Sequence, residues 1–492
     1  MAGPLILAVD QGTTGTTALL VGLDGTVHRR AHREVPVVYP HPGWVEQDAE
    51  ALWSSVLGAC SELLDGEVHP AALGITNQRE TVVVFERETL RPVAPAIVWQ
   101  CRRSAEICDA HRRAGEEPEL RARTGLLLDP YFTATKLEWL LRERPELRAR
   151  AERGELCAAT VDGWLVARLT GGRRIATDPS NASRTLLWDL RAGAFDAGLC
   201  DLFGVPAAML PEVCDSAGHF GDTDPDAFLG RRLAIRGIAG DQQAALFGQA
   251  CVAPGMSKNT YGTGSFLLCN LGGSLPEPAH GLLTTVAWRL DGEDSFALEG
   301  SIFVTGAGLT WLRDGLGLIA APSEAGPLFD SVPDANGCHF VPALAGLGAP
   351  YWDSGARGAL LGLTGGVTRA HVVRAVVEAM ALRTRDVVEA MVAAGASFAE
   401  LRVDGGASVM DGMLQLQADL LGIPVSRTST AETTALGAAW LAAIGAGLLD
   451  GPEAVAQTWR PGRRFEPARP GRRPVEAYAA WQEAVRRVRS GS

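Results

Sequence analysis

Short apolar runs separated by polar turns dominate the first part of the chain. The runs at residues 5–9, 18–23, 35–38, 72–75 and 81–85 have the length and composition of strands. After the third run, apolar residues recur at three- and four-residue steps along residues 52–64 and predict a helix, for which Asp48 is a suitable N-cap. Hairpins first and crossover helices later predict a mixed sheet flanked by helices.

The second half of the chain repeats this pattern. A glycine- and threonine-rich turn at residues 258–268 resembles the one at residues 9–20, and residues 401–410 predict a strand, a glycine turn and the start of a helix. The uncharged run at residues 435–449 predicts a core helix, and residues 475–488 predict a solvated terminal helix. We therefore predict an α/β protein of two related domains, residues 1–250 and 251–492, with a ligand site in the cleft between them.

The turn at residues 9–20 has the composition of an anion site. Gly12 and Gly15 can adopt backbone angles that other residues resist, and the neighbouring threonines add hydroxyl donors to a row of backbone N–H groups. Such a concavity suits phosphate. A polar hairpin without a ligand has the same composition, so this stretch alone leaves both interpretations open.

Composition narrows the classes of partner. With 47% hydrophobic and 21% charged residues the chain is ordinary for a globular protein, and its net charge of −12 gives no sign of nucleic-acid binding. Nine cysteines without a CxxC pair, and an N-terminal apolar run that ends at Asp10, predict a cytoplasmic protein without membrane insertion. We therefore expect small-molecule partners.

Several motifs together resemble one known family. The combination of Asp10-Gln-Gly-Thr-Thr with Tyr261-Gly-Thr-Gly and Val403-Asp-Gly-Gly resembles the actin-like ATPases, in which two related domains clamp ATP. Within that fold, further stretches resemble the FGGY family of carbohydrate kinases and its members that phosphorylate glycerol: residues 43–48, 74–80, 97–103, 129–132, 237–245 and 346–352. The resemblance covers nearly the whole chain. It implies conversion of glycerol and ATP to sn-glycerol 3-phosphate and ADP, with Mg²⁺, in a homodimer or homotetramer.

A glycerol pocket must satisfy three hydroxyls while it packs against a carbon chain. Arg79 and Glu80 place a fork of donors beside an acceptor at the end of a predicted strand. The resemblance assigns both to glycerol hydroxyls, and a surface ion pair is the alternative for a generic Arg-Glu pair. The resemblance also implies contacts from Gln242 and from an aromatic wall of Trp99, Tyr131 and Phe266. Packing in the hydrophobic core is the alternative for these three rings.

Asp241 is the candidate catalytic residue. It follows the apolar run at residues 233–238 and Gly240, so that its carboxylate can emerge into a cleft. The resemblance implies that Asp241 is the general base that takes the proton of the attacking hydroxyl. A helix N-cap is the structural role that the same position would suit.

The two glycine-threonine turns are the candidate nucleotide site. Phosphoryl transfer depends on alignment and on neutralisation of charge at the phosphate oxygens, which turns from opposite domains would provide. The resemblance implies phosphate contacts from Gly12, Thr13, Thr14, Thr263 and Gly264, adenosine contacts from Gly306, Gly405, Gly406, Ala407 and Asp411, and Mg²⁺ ligands from Asp10 and Asp241.

One position departs from the family pattern. Members that phosphorylate glycerol commonly carry an arginine late in the first turn, where this chain has Thr17. The alternative functions are a kinase for another polyol or a pentulose, an actin-like ATPase that phosphorylates nothing, and a pseudo-kinase with slow turnover. The segment at residues 77–80 and Trp99 favour glycerol.

Overall fold

The computed structural model describes residues 3–66, 68–278, 281–469 and 475–490, along which strands and helices alternate. The strands are β1 (Leu5–Gln11), β2 (Gly15–Gly22), β3 (Val27–Glu34), β4 (Glu46–Gln47), β5 (Ala72–Asn77), β6 (Val82–Glu86), β7 (Ala96–Ile97), β8 (Leu156–Thr160), β9 (Ala176–Thr177), β10 (Trp188–Asp189), β11 (Ala194–Phe195), β12 (Glu212–Val213), β13 (Gly221–Asp222), β14 (Ala234–Gly240), β15 (Met256–Tyr261), β16 (Ser265–Gly272), β17 (Leu283–Leu290), β18 (Glu293–Ile302), β19 (His339–Val341), β20 (Ala359–Leu361), β21 (Glu400–Asp404), β22 (Val425–Thr428) and β23 (Pro461–Phe465). The α-helices are α1 (Ala49–Leu63), α2 (Ala105–Ala114), α3 (Glu117–Thr124), α4 (Thr133–Glu143), α5 (Pro145–Glu152), α6 (Val161–Leu169), α7 (Pro179–Ala182), α8 (Ala197–Leu202), α9 (Asp241–Gly248), α10 (Gly306–Thr310), α11 (Ala325–Asp330), α12 (Arg369–Ala393), α13 (Asp411–Leu421), α14 (Thr433–Gly445), α15 (Pro452–Thr458) and α16 (Val475–Arg486).

A six-stranded sheet forms the first half of the molecule. Its order is β13-β14-β5-β1-β2-β3, in which β1 runs antiparallel to β2 and parallel to β5, and β5 runs parallel to β14. Gln11, Asn77 and Gly240, at the ends of β1, β5 and β14, lie side by side in register. The residues that follow them therefore leave the sheet at one edge, where ligands bind in open α/β sheets.

A seven-stranded sheet repeats this plan in the second half. Its order is β17-β18-β16-β15-β21-β22-β23, with an antiparallel β15–β16 hairpin and with β21 parallel to β15. Thr260 pairs with Asp404, so the turn after β15 and the glycines after β21 leave this sheet together. The predicted α/β fold with two related mixed sheets is confirmed. The predicted domain boundary at residue 250 lies between α9 and β15 and stays a prediction.

Helices α9 and α14 join the two halves of the molecule, and their backbones are in direct contact. Helix α14 packs on β1, β5 and β14 of the first sheet and against α9. A β-carbon on Gly437 of α14 would lie 1.8 Å from the carbonyl oxygen of Ala244 in α9, and one on Gly74 of β5 would lie 2.2 Å from that of Ala438. Because only glycine fits in such contacts, the packing fixes α9, whose first residue is Asp241.

Two predictions about individual elements are wrong. Within the described ranges, residues 35–38 form no strand; the strand is β3, in which only Ala31 is fully buried. Helix α16 exposes most of its residues but is not simply a solvated helix, because it buries Tyr478 and Trp481, which donate hydrogen bonds to Asp386 at 2.8 and 3.1 Å. The N-cap of α1 is confirmed, since the side chain of Asp48 accepts a hydrogen bond from the first turn.

No helix in the described part of the chain combines the length and apolarity that crossing a membrane requires.

Substitution of Gly437 tests the contact between α9 and α14. We expect Gly437→Val to lower the free energy of unfolding by about 3 kcal/mol, because the added side chain overpacks the helix pair. Gly365→Ala is the control, since a β-carbon at residue 365 would meet no atom within 4 Å. Thermal denaturation of both variants measures the effect, and equal midpoints would show that the two helices separate at little cost.

Candidate active site

The turn between β1 and β2 is held on its sheet side and open on the other. Trp99 Nε1 donates a hydrogen bond to Thr13 Oγ1 at 2.9 Å, and Gln47 Nε2 donates to the Thr13 carbonyl at 2.7 Å. The N–H of Gly12 closes the turn on the first residue of β2. The backbone N–H groups of Thr13 and Thr14 have no acceptor among the described residues, so they can bind an anion.

The turn between β15 and β16 lies against the start of α10. The N–H of Gly306 donates to the carbonyl of Gly262 at 2.9 Å, and a β-carbon on Gly306 would lie 2.7 Å from that oxygen. Gly405 has a φ of +88°, and a β-carbon there would lie 2.5 Å from the carbonyl oxygen of Tyr261. Only glycine fits at both positions, where two backbone segments lie in contact, and the predicted approach of adenosine to these glycines stays a prediction.

The other predicted nucleotide residues lie around these glycines. Thr263 and Gly406 are exposed, and Gly264 packs so tightly that a β-carbon would lie 2.3 Å from a carbonyl oxygen of β18. Ala407 is buried. Asp411 begins α13 and binds Arg427 Nη1 at 2.8 Å, so its carboxylate already has a basic partner.

Four charged side chains meet beneath the edge of the first sheet. Arg79 Nη1 donates to Glu299 Oε2 at 2.5 Å, and Arg184 Nη2 donates to Glu299 Oε1 at 3.0 Å. Arg184 Nε donates to Glu80 Oε1 at 2.6 Å, and Arg79 Nε lies 3.2 Å from Asp241 Oδ1. Arg79, Glu80, Arg184 and Glu299 are each at most 2% exposed, and together we name them the buried ion cluster.

Opposing effects set the ionisation of the two glutamates. Burial raises the pKa of Glu299, but the guanidinium groups of Arg184 and Arg79 outweigh burial and lower that pKa to about 2. At Glu80 burial prevails, so its pKa is raised although Arg184 and Arg79 oppose the shift. Glu299 is therefore ionised at neutral pH and anchors both arginines.

Asp241 is the carboxylate beside this cluster that reaches solvent. Its side chain is 30% exposed, whereas that of Arg79 is 2% exposed. Asp241 is the first residue of α9, and Gly240 is the N-cap, so the N-cap alternative for Asp241 is wrong by one residue. Its Oδ1 accepts a hydrogen bond from the N–H of Gln242 at 2.7 Å, which orients the carboxylate.

Asp10 lies near enough to Asp241 for the two carboxylates to repel each other. Burial, Asp241 and Glu432 raise the pKa of Asp10 to about 8. A shift of this kind marks a carboxylate without a compensating cation, and Mg²⁺ prefers oxygen ligands. The described residues contain no group of three or more His, Cys, Asp or Glu suited to a metal. Asp10 and Asp241 alone are too few to hold a metal ion, so they fit Mg²⁺ that takes its other ligands from phosphate oxygens.

Three aromatic rings surround the buried ion cluster. Trp99 and Tyr131 pack edge to face with ring centroids 5.7 Å apart, and the guanidinium carbon of Arg184 lies 5.7 Å from the Tyr131 centroid. Phe266 lies on another side, with the guanidinium carbon of Arg79 5.9 Å from its centroid. The three rings therefore lie beside the predicted glycerol-binding residues, and the wall for a carbon chain stays a prediction.

The chain has only two lysines among 45 basic residues, and both are fully buried at this site. Lys258 Nζ donates to Gln242 Oε1 at 2.5 Å, which leaves the amide NH₂ of Gln242 to donate elsewhere. Lys136 Nζ donates to the carbonyl of Glu80 at 3.1 Å, and Glu80 has a φ of +60° that is rare outside glycine. Burial lowers the pKa of each lysine to about 8. Each lysine therefore fixes a predicted glycerol-binding residue.

Sequence reasoning missed four residues of this site: Arg184, Glu299, Lys136 and Lys258. Nothing in a single sequence links Arg79 to Glu299, which lies 220 residues further along the chain. The rarity of lysine was a usable signal, because a residue type retained twice in an arginine-rich chain indicates positions that arginine does not fit.

Comparison with known proteins establishes the family. The model of the FGGY family of carbohydrate kinases, N-terminal domain, matches residues 5–248, and that of the C-terminal domain matches residues 257–446. The fold and the matching family models are those of a kinase with the actin-like ATPase fold. More narrowly, the chain belongs to the FGGY family of carbohydrate kinases.

Individual relatives act on different substrates. The glycerol kinase of Carboxydothermus hydrogenoformans is 49% identical over 99% of this chain and 99% of its own length. The crystal structure of Plasmodium falciparum glycerol kinase with ADP superposes with a TM-score of 0.93 at 31% identity, and covers 99% of this chain and 98% of that one. The xylulose kinase of Rhodospirillum rubrum gives a TM-score of 0.85 at 25% identity, over 98% and 97%.

Removal of the charge of Glu299 tests the buried ion cluster. We expect Glu299→Gln to lower the free energy of unfolding by about 3–5 kcal/mol, because two buried arginines lose their shared counter-charge. Glu152→Gln is the matched control, since the Arg148–Glu152 pair is exposed and should contribute less than about 1 kcal/mol. Denaturant unfolding measures both variants. A loss at residue 299 no larger than that at residue 152 would contradict the anchoring role.

Proposed function

We propose that the protein transfers the γ-phosphoryl group of ATP to glycerol and forms sn-glycerol 3-phosphate and ADP. The observation that carries this proposal is that Arg79, Glu80 and Asp241 meet at one edge of the first sheet. The turn between β1 and β2 at residues 12–14, which we name the first phosphate turn, leaves the sheet at the same edge. Sequence identity of 49% with a glycerol kinase over nearly the whole of both chains supports the choice of substrate.

Glycerol would bind in the polar pocket inside the aromatic wall. Arg79 and Glu80 supply donors and an acceptor for its hydroxyls, and the NH₂ group of Gln242 adds a donor whose direction Lys258 fixes. Trp99, Tyr131 and Phe266 pack against the carbon chain. Since Glu299 holds Arg79 in place, the pocket is formed before glycerol enters, which lowers the entropic cost of binding.

Asp241 would act on the attacking hydroxyl. One carboxylate oxygen is held by Arg79 and by the N–H of Gln242, and the partly exposed side chain leaves the other oxygen available. That oxygen takes the hydroxyl proton as the new oxygen–phosphorus bond forms and the bond to the ADP oxygen breaks.

ATP would lie across the two turns. Thr13 and Thr14 donate to the phosphates from the first sheet, in the turn that Gly12 closes, and Thr263 and Gly264 donate from the second. The adenosine half lies against the closely packed backbone at Gly306, Gly405, Gly406 and Ala407, near Asp411. Asp10 and Asp241 would hold Mg²⁺, which neutralises charge on the phosphate oxygens when bound.

We further propose that the protein acts in the cytoplasm as a homodimer or homotetramer, by analogy with the family. Sedimentation velocity measures the assembly, and a monomer at micromolar concentration would contradict it.

Asp241→Asn tests the proposed general base. We expect kcat to fall by roughly 10²- to 10⁴-fold, because the amide keeps the shape of the carboxylate but cannot accept the proton. Steady-state ADP release measures kcat, and an unchanged melting temperature controls for folding. A near-normal kcat would show that the proton leaves by another route.

A substrate panel tests the proposed function as a whole. We expect glycerol to stimulate ADP release strongly, and xylulose and water to support it weakly, because the pocket is built for a small triol. Stronger stimulation by xylulose would assign another carbohydrate to the site. ATP turnover without stimulation by any polyol or sugar would assign the protein to the ATPases that phosphorylate nothing.

A further inference from the structure

His32 lies on the face of the first sheet that carries Asp10. Asp10 of β1 pairs with Thr17 of β2, and Thr17 pairs with His32 of β3, so the three side chains project from one face in a row. Helix α14 packs on this face, and Glu432 precedes it, near enough to Asp10 to raise the pKa of that carboxyl. His32 is thus on the same side of the sheet as the proposed phosphate site.

The ring of His32 is held against the first phosphate turn. Its Nδ1 lies 3.0 Å from Thr17 Oγ1. A β-carbon on Gly15 would lie 2.6 Å from the ring Cε1 and 2.7 Å from Nε2, so the ring occupies the space that any other residue at position 15 would fill. Gly15 directly follows the turn at residues 12–14, and it is the absence of its side chain that lets the imidazole approach the turn.

His32 also differs from its basic neighbour in charge pairing. Arg30, two residues earlier on β3, donates to Glu432 at 2.7 Å and is therefore neutralised. His32 is exposed and, among the described residues, has no ion pair with a carboxylate. A donor of this kind beside a row of open backbone N–H groups is free to bind an anion.

We propose that His32 donates a hydrogen bond from Nε2 to an oxygen of the β- or γ-phosphate of the nucleotide. Thr17 is its positioning residue: Thr17 Oγ1 lies 3.0 Å from Nδ1, and a hydroxyl that donates to Nδ1 places the ring proton on Nε2. Gly15 leaves room for the ring, Thr17 orients it and His32 supplies the donor. The turn thus has a basic residue beside it although residue 17 is a threonine and not an arginine. This inference rests on the proposed function for the identity of the ligand.

Nucleotide binding tests the contact without any turnover. We expect His32→Ala to weaken ATP binding by roughly 10- to 100-fold in titration calorimetry, which is the range for a hydrogen bond to a charged group. AMP lacks the outer phosphates, so its affinity should stay within about twofold if only a phosphate contact is lost. His28→Ala is the matched control, because His28 is an exposed histidine at the far end of the same strand, beside Gly22.

A second variant supplies a rescue. We expect Thr17→Arg in the His32→Ala background to restore most of the ATP affinity, since the guanidinium would project from the same face beside Asp10. Unchanged ATP affinity in His32→Ala would overturn the inference, and so would an equal loss of ATP and AMP affinity. Failure of glycerol to stimulate turnover in the native chain would reject the proposed function but would leave this binding result intact.

Discussion

One buried carboxylate joins the two halves of the molecule at the candidate site. Glu299, on β18 of the second sheet, binds Arg79 from the end of β5 and Arg184 from the segment after α7, both in the first half. Ions removed from water cost several kcal/mol each unless opposite charges compensate them, so these groups are stable only when the two halves are in contact. The position of Arg79, and through it one oxygen of Asp241, thus depends on a residue of the other half. The buried ion cluster is complete only when the two halves are in contact.

Backbone contact between helices adds a second constraint. The glycines of α14 and of the strands beneath it let α14 lie directly on the first sheet and against α9. Since α9 begins at Asp241, the orientation of the candidate base follows from this packing as well as from its bond to Arg79. Charge pairing and close packing act on the same residue from two sides, which restricts its rotamers more than either would alone.

Apolar patterning predicted what local sequence determines. The apolar runs that form β1, β2, β5 and β6 are buried, so the hydrophobic pattern alone predicts them. The turns between strands contain the glycines that their geometry needs. The edge strand β3 was missed because water covers most of its side chains and no apolar run marks it. Arg79, Glu80 and Asp241 were placed by motif, whereas Arg184 could not be, because its partner Glu80 lies 104 residues away and only the tertiary fold joins them. The burial of the terminal helix was missed for the same reason, because Trp481 and its partner Asp386 are distant in sequence and only the tertiary fold brings them together.

The distribution of charge explains why the reaction would take place at one corner of the site. Within the buried ion cluster, two arginines face two glutamates, so the cluster is balanced and presents hydrogen-bonding groups without net charge to a neutral polyol. Beside the cluster lies Asp10, whose pKa burial and the nearby carboxylates of Asp241 and Glu432 raise to about 8. A divalent cation held by Asp10 and Asp241 would relieve that repulsion and would neutralise charge on the phosphate oxygens. Asp241 belongs to both regions, because Arg79 touches it from the balanced side and Asp10 repels it from the acidic side. A hydroxyl bound by the cluster and a phosphate bound at the turns would therefore meet at this carboxylate.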